Sequence, residues 1–245
     1  VEAFSPIDLK DALVLAAFPT TGSASSIAAQ YLMRNLELPL VGQLRLPELS
    51  GITAIQDGRA TSAVRIFGGT VACRLDKPCP RIYIITTELA TPPSVAFRLA
   101  QIVLDWAGKG GAHLLIALEG VVRGDGDDTP DVFCAAADPA VLKELAKTGL
   151  PVMERALIGG ITAHLLLLGH ASKLRSGAIL VEATRDHPDG RAAAALIEAL
   201  GKIVPDVMLD AKPLLAEALA LEGELSKVRE TADPVHLNQG ANQFI

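Results

Sequence analysis

The sequence predicts a single α/β domain: a largely parallel sheet covered by helices on both faces. A continuously apolar run at 12–18 and largely apolar runs at 81–86, 112–118 and 178–183 read as strands buried on both faces. Helical periodicity separates them along most of the chain, and that alternation calls for parallel strands joined by crossover helices. Half of the 245 residues are apolar and only 4% aromatic, so the core must be built from Ala, Leu, Val and Ile. No repeat or linker divides residues 1–229.

The first strand, Ala12 to Phe18, passes through the turn Pro19-Thr20-Thr21-Gly22-Ser23 into a helix beginning near Ala24. That helix sets Ala24, Ile27/Ala28, Tyr31/Leu32 and Leu36 on one stripe, and Pro39 stops it. Leu40 to Leu46 alternates like a strand with one polar face. Gly51, Gly58 and Gly68-Gly69 punctuate a stretch of short strands and turns, with Ala63 to Phe67 the clearest strand in it. After the strand Arg81–Thr86, a helix opens at Thr91-Pro92-Pro93, where a missing proline N–H is harmless. Val95, Leu99, Ile102 and Trp106 share one face of that helix, and Gly108-Gly110-Gly111 ends it.

Ala112 to Leu118 forms the next strand, a polar loop covers Glu119 to Asp131, and a shorter strand follows at Val132 to Ala136. Asp138 caps a helix through Lys147, with Pro139 at its first position. A further helix runs from Gly159-Gly160 to about Leu168, and Ala178 to Ala183 is a strand. Asp189 or Asp186 starts a helix with Ala192, Leu196, Leu200 and Ile203 inside. The last helix opens at Pro213 and runs to about Arg229, with Leu214, Ala218, Leu221, Leu225 and Val228 as an apolar seam. Such a seam packs on another helix or on its own sheet. Residues 230–245, rich in Asn, Gln, Gly and Pro, have little to bury and are expected to form a loosely held tail.

Several function classes are disfavoured. A net charge of −6 without a Lys/Arg cluster does not suit a nucleic-acid backbone binder, and scarce aromatics do not suit a base-stacking platform. Three cysteines (Cys73, Cys79, Cys134) without CxxC spacing argue against a disulfide framework and a zinc site, and fit a reducing compartment. The polar start (Glu2, Asp8, Lys10, Asp11) shows no signal peptide, and the apolar run 156–168 is too short for a bilayer. A soluble cytoplasmic protein without cofactor is expected.

Four features could carry function. The turn Thr20, Thr21, Gly22 and Ser23 could hold a phosphate or carboxylate on the N–H groups of Ser23 to Ser25, although any β–α unit needs such a turn. One glycine, with neither GxGxxG nor a following Gly-Lys-Ser/Thr, makes that signal weak. The carboxylates Asp125, Asp127, Asp128 and Asp131 lack the EF-hand spacing and read as a solvated loop. Five histidines stand in no zinc-hydrolase arrangement. Met153-Glu154, with Asp186 after a later strand, is similar to purine nucleoside phosphorylase-like enzymes, where glutamate takes the ribose and aspartate handles the base. In the seam, Leu214, Leu221 and Leu225 are candidates for a subunit contact.

A broader resemblance rests on Ala17-Phe18-Pro19 with Gly22, on Ile27-Ala28-Ala29-Gln30-Tyr31-Leu32, and on Leu118-Glu119-Gly120. It continues in Gly159-Gly160-Ile161-Thr162, in Leu165-Leu166-Leu167, and in Val181-Glu182 followed by Asp186, Asp189 and Ala192-Ala193. Over most of residues 10–229 the chain resembles the family named for the second proteasome assembly chaperone. The resemblance implies a three-layer α/β/α domain of phosphorylase-like topology, without established catalysis for most members. It also implies homo-oligomers that bind proteasome subunits. Several relatives end in a hydrophobic–tyrosine–any motif that docks on the proteasome α-ring, whereas this chain ends Gln243-Phe244-Ile245, without the phenol and with a polar residue before it. The expectation is therefore a homo-oligomeric, non-enzymatic assembly-chaperone-like protein. The rival is a nucleoside phosphorylase- or hydrolase-like enzyme using the 19–23 turn, Glu154 and Asp186.

Overall fold

The central strand β2 (Leu13–Ala17) is buried along its whole length and organises an eight-stranded sheet of order β1-β3-β6-β7-β2-β8-β10-β9 in the computed structural model. The structure describes residues 1–49, 51–73, 80–124, 129–172, 174–185 and 187–220. In chain order the elements are β1 (Glu2–Ala3), β2, α1 (Ala24–Asn35), β3 (Leu40–Leu44), β4 (Thr53–Gln56), β5 (Arg59–Ser62), β6 (Val64–Thr70) and β7 (Arg81–Thr86). There follow α2 (Pro93–Lys109), β8 (Leu114–Val122), β9 (Val132–Ala136), α3 (Pro139–Lys147), α4 (Gly160–Ser172), β10 (Ser176–Ala183) and α5 (Gly190–Ile203). Residues 212–220 are helical, and β4 and β5 form a separate hairpin.

The sheet is mixed. Strands β7, β2, β8 and β10 are parallel, as the β–α alternation requires, while β1, β3 and β6 on one flank and β9 on the other pair antiparallel. On the β1-β3-β6 flank, among the described residues, the chain passes from β3 through the hairpin to β6 and β7 without a crossover helix, which suits antiparallel pairing. On the other flank β9 runs antiparallel to β10 although α3 and α4 lie between them.

Side-chain alternation along β2 splits the core in two. Leu13, Leu15 and Ala17 join Ala24, Ala28 and Leu32 of α1, Val141 and Leu145 of α3, and Ala192, Leu196 and Leu200 of α5. Ala12, Val14, Ala16 and Phe18 face Val95, Leu99 and Val103 of α2 with Ile161 and Leu165 of α4. Alanine at the α1–α5 contact lets the two helices approach closely, which suits a core poor in aromatics.

Expected boundaries recur at β7, β9 and α3, where the Asp138 side chain accepts from Ala140 N–H at 2.7 Å. Elsewhere the structure corrects them. β8 continues to Val122 through a stretch expected to be loop, because Gly120 to Val122 keep pairing with Val181 to Ala183 of β10. α4 continues to Ser172. Asp189 rather than Asp186 caps α5, accepting from Ala192 N–H at 2.9 Å. Cys73 is disulfide-bonded, against the expectation from the odd cysteine count, and Cys134 is a free, buried thiol.

Candidate functional site

Adjacent parallel strands β2 and β8 send their connections to opposite sides, one through α1 to β3 and the other to β9. The carboxyl ends of such a pair form the crevice where open α/β sheets bind ligands. Here the 19–23 turn closes it. Gly22 has φ +61°, and a Cβ there would lie 2.9 Å from both Asp189 Cβ and Thr184 O, so only glycine fits. Ser23 follows at φ 51°, a left-handed serine that costs about 1 kcal/mol and must be held by its surroundings.

Two polar residues do the holding. The Ser25 hydroxyl donates to Phe18 O, so the Thr20 hydroxyl donates to Ser25 Oγ at 2.9 Å and accepts Gly120 N–H at 2.9 Å. Gly120 packs so closely on the turn that a Cβ would lie 2.3 Å from Thr21 O. From the other side, buried Asp189 donates its N–H to Gly22 O at 2.7 Å. Its Oδ2 accepts from Thr184 N at 3.0 Å and from Arg123 at 3.2 Å. The chain segments after β2, β8 and β10 are thereby fixed to one another.

Outside the turn lies an open cavity of about 550 Å³, lined by residues 20–23, Val122, Arg185 and His187. Ser23 N–H donates to Thr20 O at 2.9 Å, and Ala24 N–H donates to Thr21 O. Those two donors are therefore spent within the turn. Any anion here would rest on Arg185, His187 and the hydroxyls of Thr21 and Ser23. Sequence reasoning did not assign Arg185 or His187 to the turn; the signal was an arginine and a histidine just beyond β10.

The second buried polar feature was also unassigned. Glu119, near the end of β8, accepts a hydrogen bond from Thr162 Oγ1 in the first turn of α4 at 2.5 Å. Burial pushes its carboxyl up to about 7, against the smaller opposing effect of the Thr162 bond. Its position directly after the apolar run 112–118 read as the start of a loop, so the sequence carried no signal for it.

Glu154 is exposed and lies beyond the edge strand β9, where Val152 bridges Cys134 and Met153 N–H donates to Cys134 O at 3.0 Å. It does not line the cavity at the turn. Asp186 lies outside the described residues, as do Asp125, Asp127, Asp128, Leu221, Leu225, Gln243, Phe244 and Ile245. Leu214 is buried in the chain's own core against the α1–α5 layer. Among the described residues no group of His, Cys, Asp and Glu could hold a metal, and no helix is long and apolar enough to cross a membrane.

Among the described residues the two most exposed large apolar side chains, Leu157 and Leu167, lie just before and on α4. From Ile161 to Leu168 that helix is apolar except for Thr162 and His164, so it has no polar face to give to water. Leu167 is 71% exposed and Leu157, just before the helix, is fully exposed. Phe97 of α2, 46% exposed, meets His164 edge-to-face at 5.4 Å.

Comparison with known proteins places these features in a family context. A profile of the PAC2 family matches residues 14–229. An uncharacterized protein of Methanocaldococcus jannaschii is 24% identical over 91% of this chain and 88% of its own length. The fold is similar to a crystal structure of Pyrococcus furiosus PbaA, an archaeal homolog of proteasome-assembly chaperone, with TM-score 0.81 and 27% identity over 93% of this chain and 91% of that one. It is also similar to P. furiosus PbaB, an archaeal proteasome activator, with TM-score 0.79 and 20% identity over 93% and 97% of the two chains.

Proposed function

Because the chain belongs to the PAC2 family, we propose that it is a non-enzymatic, homo-oligomeric assembly-chaperone-like protein acting on proteasome subunits. The observation that carries this reading is the α4 surface. A helix apolar on nearly every side, with Leu157 and Leu167 left in water, has the composition of an obligate subunit contact. The 27% identity with PbaA supports the choice of partner. The same reading takes the architecture as the phosphorylase-like three-layer arrangement and the setting as cytoplasmic; helices on both sheet faces support the former. It assigns a docking role to residues 230–245, with Gln243, Phe244 and Ile245 as proposed contacts whose apolar pair suits a hydrophobic pocket on the partner. In the seam, Leu221 and Leu225 remain proposed contacts, while Leu214 serves the chain's own core. Light scattering tests the oligomer: wild type elutes as a multiple of 25.6 kDa, and Leu167→Glu shifts it toward the monomer. A monomeric wild type would overturn this part.

A second reading is favoured by one observation, the cavity at the turn. Arg185 and His187 beside Thr20, Thr21, Gly22 and Ser23 suit a small anion. Titration calorimetry with inorganic phosphate should show binding that Arg185→Ala removes. The enzyme alternative needs Glu154 and Asp186 in that same cavity, and Glu154 does not line it.

A further inference from the structure

Glu119 is a half-buried carboxyl that neither proposed role uses. It lies on the sheet face covered by α2 and α4, in register with Leu180 of β10. Its bond to Thr162, a residue itself only 2% exposed, ties β8 to the opening turn of α4. That turn begins at Gly160, whose φ of +64° makes it a left-handed pivot, and the space around Gly159 and Gly160 is open. Among the charged and titratable groups on the surrounding elements, Arg98 of α2 is held by Glu48 at 2.6 Å, and His164 of α4 faces Phe97. Glu182 of β10, paired with Val121, lies on the same sheet face two residues along from the register partner of Glu119, and Arg123 beyond β8 is held by Asp189. Burial raises the Glu119 carboxyl, and the bond from Thr162 opposes that rise.

We infer that Glu119 and Thr162 form a proton-operated latch that holds the first turn of α4 on the sheet. With a proton on Glu119, the neutral carboxyl shares its hydrogen bond with Thr162 and the turn stays seated. Ionisation leaves a carboxylate in an apolar layer with one neutral donor and no cation, a costly arrangement that water relieves. Lifting the turn about Gly159-Gly160 admits that water. The latch stands on the Glu119–Thr162 bond and the open glycine turn together with the raised Glu119 carboxyl; its consequence, that the apolar α4 surface would loosen in alkali, rests on the proposed role of α4 as a subunit contact.

Amide exchange on the full chain tests the latch without any partner, so its failure is distinguishable from failure of the oligomer reading. Corrected for intrinsic rates, protection at Ala163 to Leu166, whose acceptors are the carbonyls of the first turn, should fall about tenfold between pH 6 and pH 8.5 by proton linkage, and Glu119→Gln should abolish the fall. Thr162→Val removes the donor that favours the ionised form, so the midpoint of the fall should move to higher pH, a shift that a merely structural contact would not produce. Should Glu119→Gln not fold, the carboxyl carbon of Glu119 can be followed by NMR in the wild-type chain. A titration near neutral pH together with the loss of protection upholds the latch. Protection independent of pH, or a Glu119 that titrates with ordinary glutamates, overturns it.

Discussion

Gly22 and Asp189 clasp each other across the carboxyl end of the sheet: Asp189 donates its N–H to Gly22 O at 2.7 Å, and its Cβ leaves no room for a side chain at 22. Gly22→Ala should therefore destabilise the fold by about 1–3 kcal/mol, from left-handed strain and collision with Asp189 and Thr184. Urea denaturation checks this, and the Gly58→Ala variant serves as a control. Gly58 shares the positive φ but faces open space, so its loss should be the smaller.

Asp189 should matter more than a surface carboxylate. It caps α5, accepts from Thr184 N and pairs with Arg123, whose side chain is 19% exposed. Asp189→Ala removes the cap and leaves a largely buried guanidinium without its carboxylate, at a cost of about 3 kcal/mol. A double-mutant cycle with Arg123→Met should return part of that loss, because the orphaned cation is then gone.

Stability should depend on pH through Glu119. Its carboxyl is raised from 4.5 to about 7 on folding, so the folded chain holds the proton more tightly than the unfolded one. The stabilising contribution is complete below about 4.5, declines as pH rises through 7, and amounts to roughly 3 kcal/mol. Denaturation at pH 5, 6, 7 and 8 should show the decline, and Glu119→Gln should remove this component.

Within α4, Leu165 and Leu167 should separate folding from association. Leu165 is 1% exposed in the core shared with α2, so Leu165→Glu should prevent stable folding. Leu167 is 71% exposed, and Leu167→Glu should change monomer stability by less than about 0.5 kcal/mol while weakening the oligomer. Circular dichroism and light scattering on the two variants read the difference.

How much the sequence disclosed follows from which forces are local. The continuous apolarity of β2 and β7, the prolines opening α2 and the Asp138 cap are properties of neighbouring residues, and they marked those elements well. The end of β8 was hidden, because Glu119 and Gly120 look like loop residues and only pairing with β10 keeps them extended. The antiparallel flanks depend on partners far along the chain, so alternation of strands and helices could not reveal them. At the site, the 20–23 turn was legible from its strand–turn–helix setting. The approach of Arg185 and His187 to it, and of Thr162 to Glu119, depends on how the crossovers fold back over the sheet.

Proteasome binding, the proposed role, can be read from capture of purified proteasome α-subunits on the immobilised full chain. Saturable capture by the wild-type chain is expected, reduced at least tenfold when residues 243–245 are deleted. A wild-type chain that retains no α-subunits would contradict it.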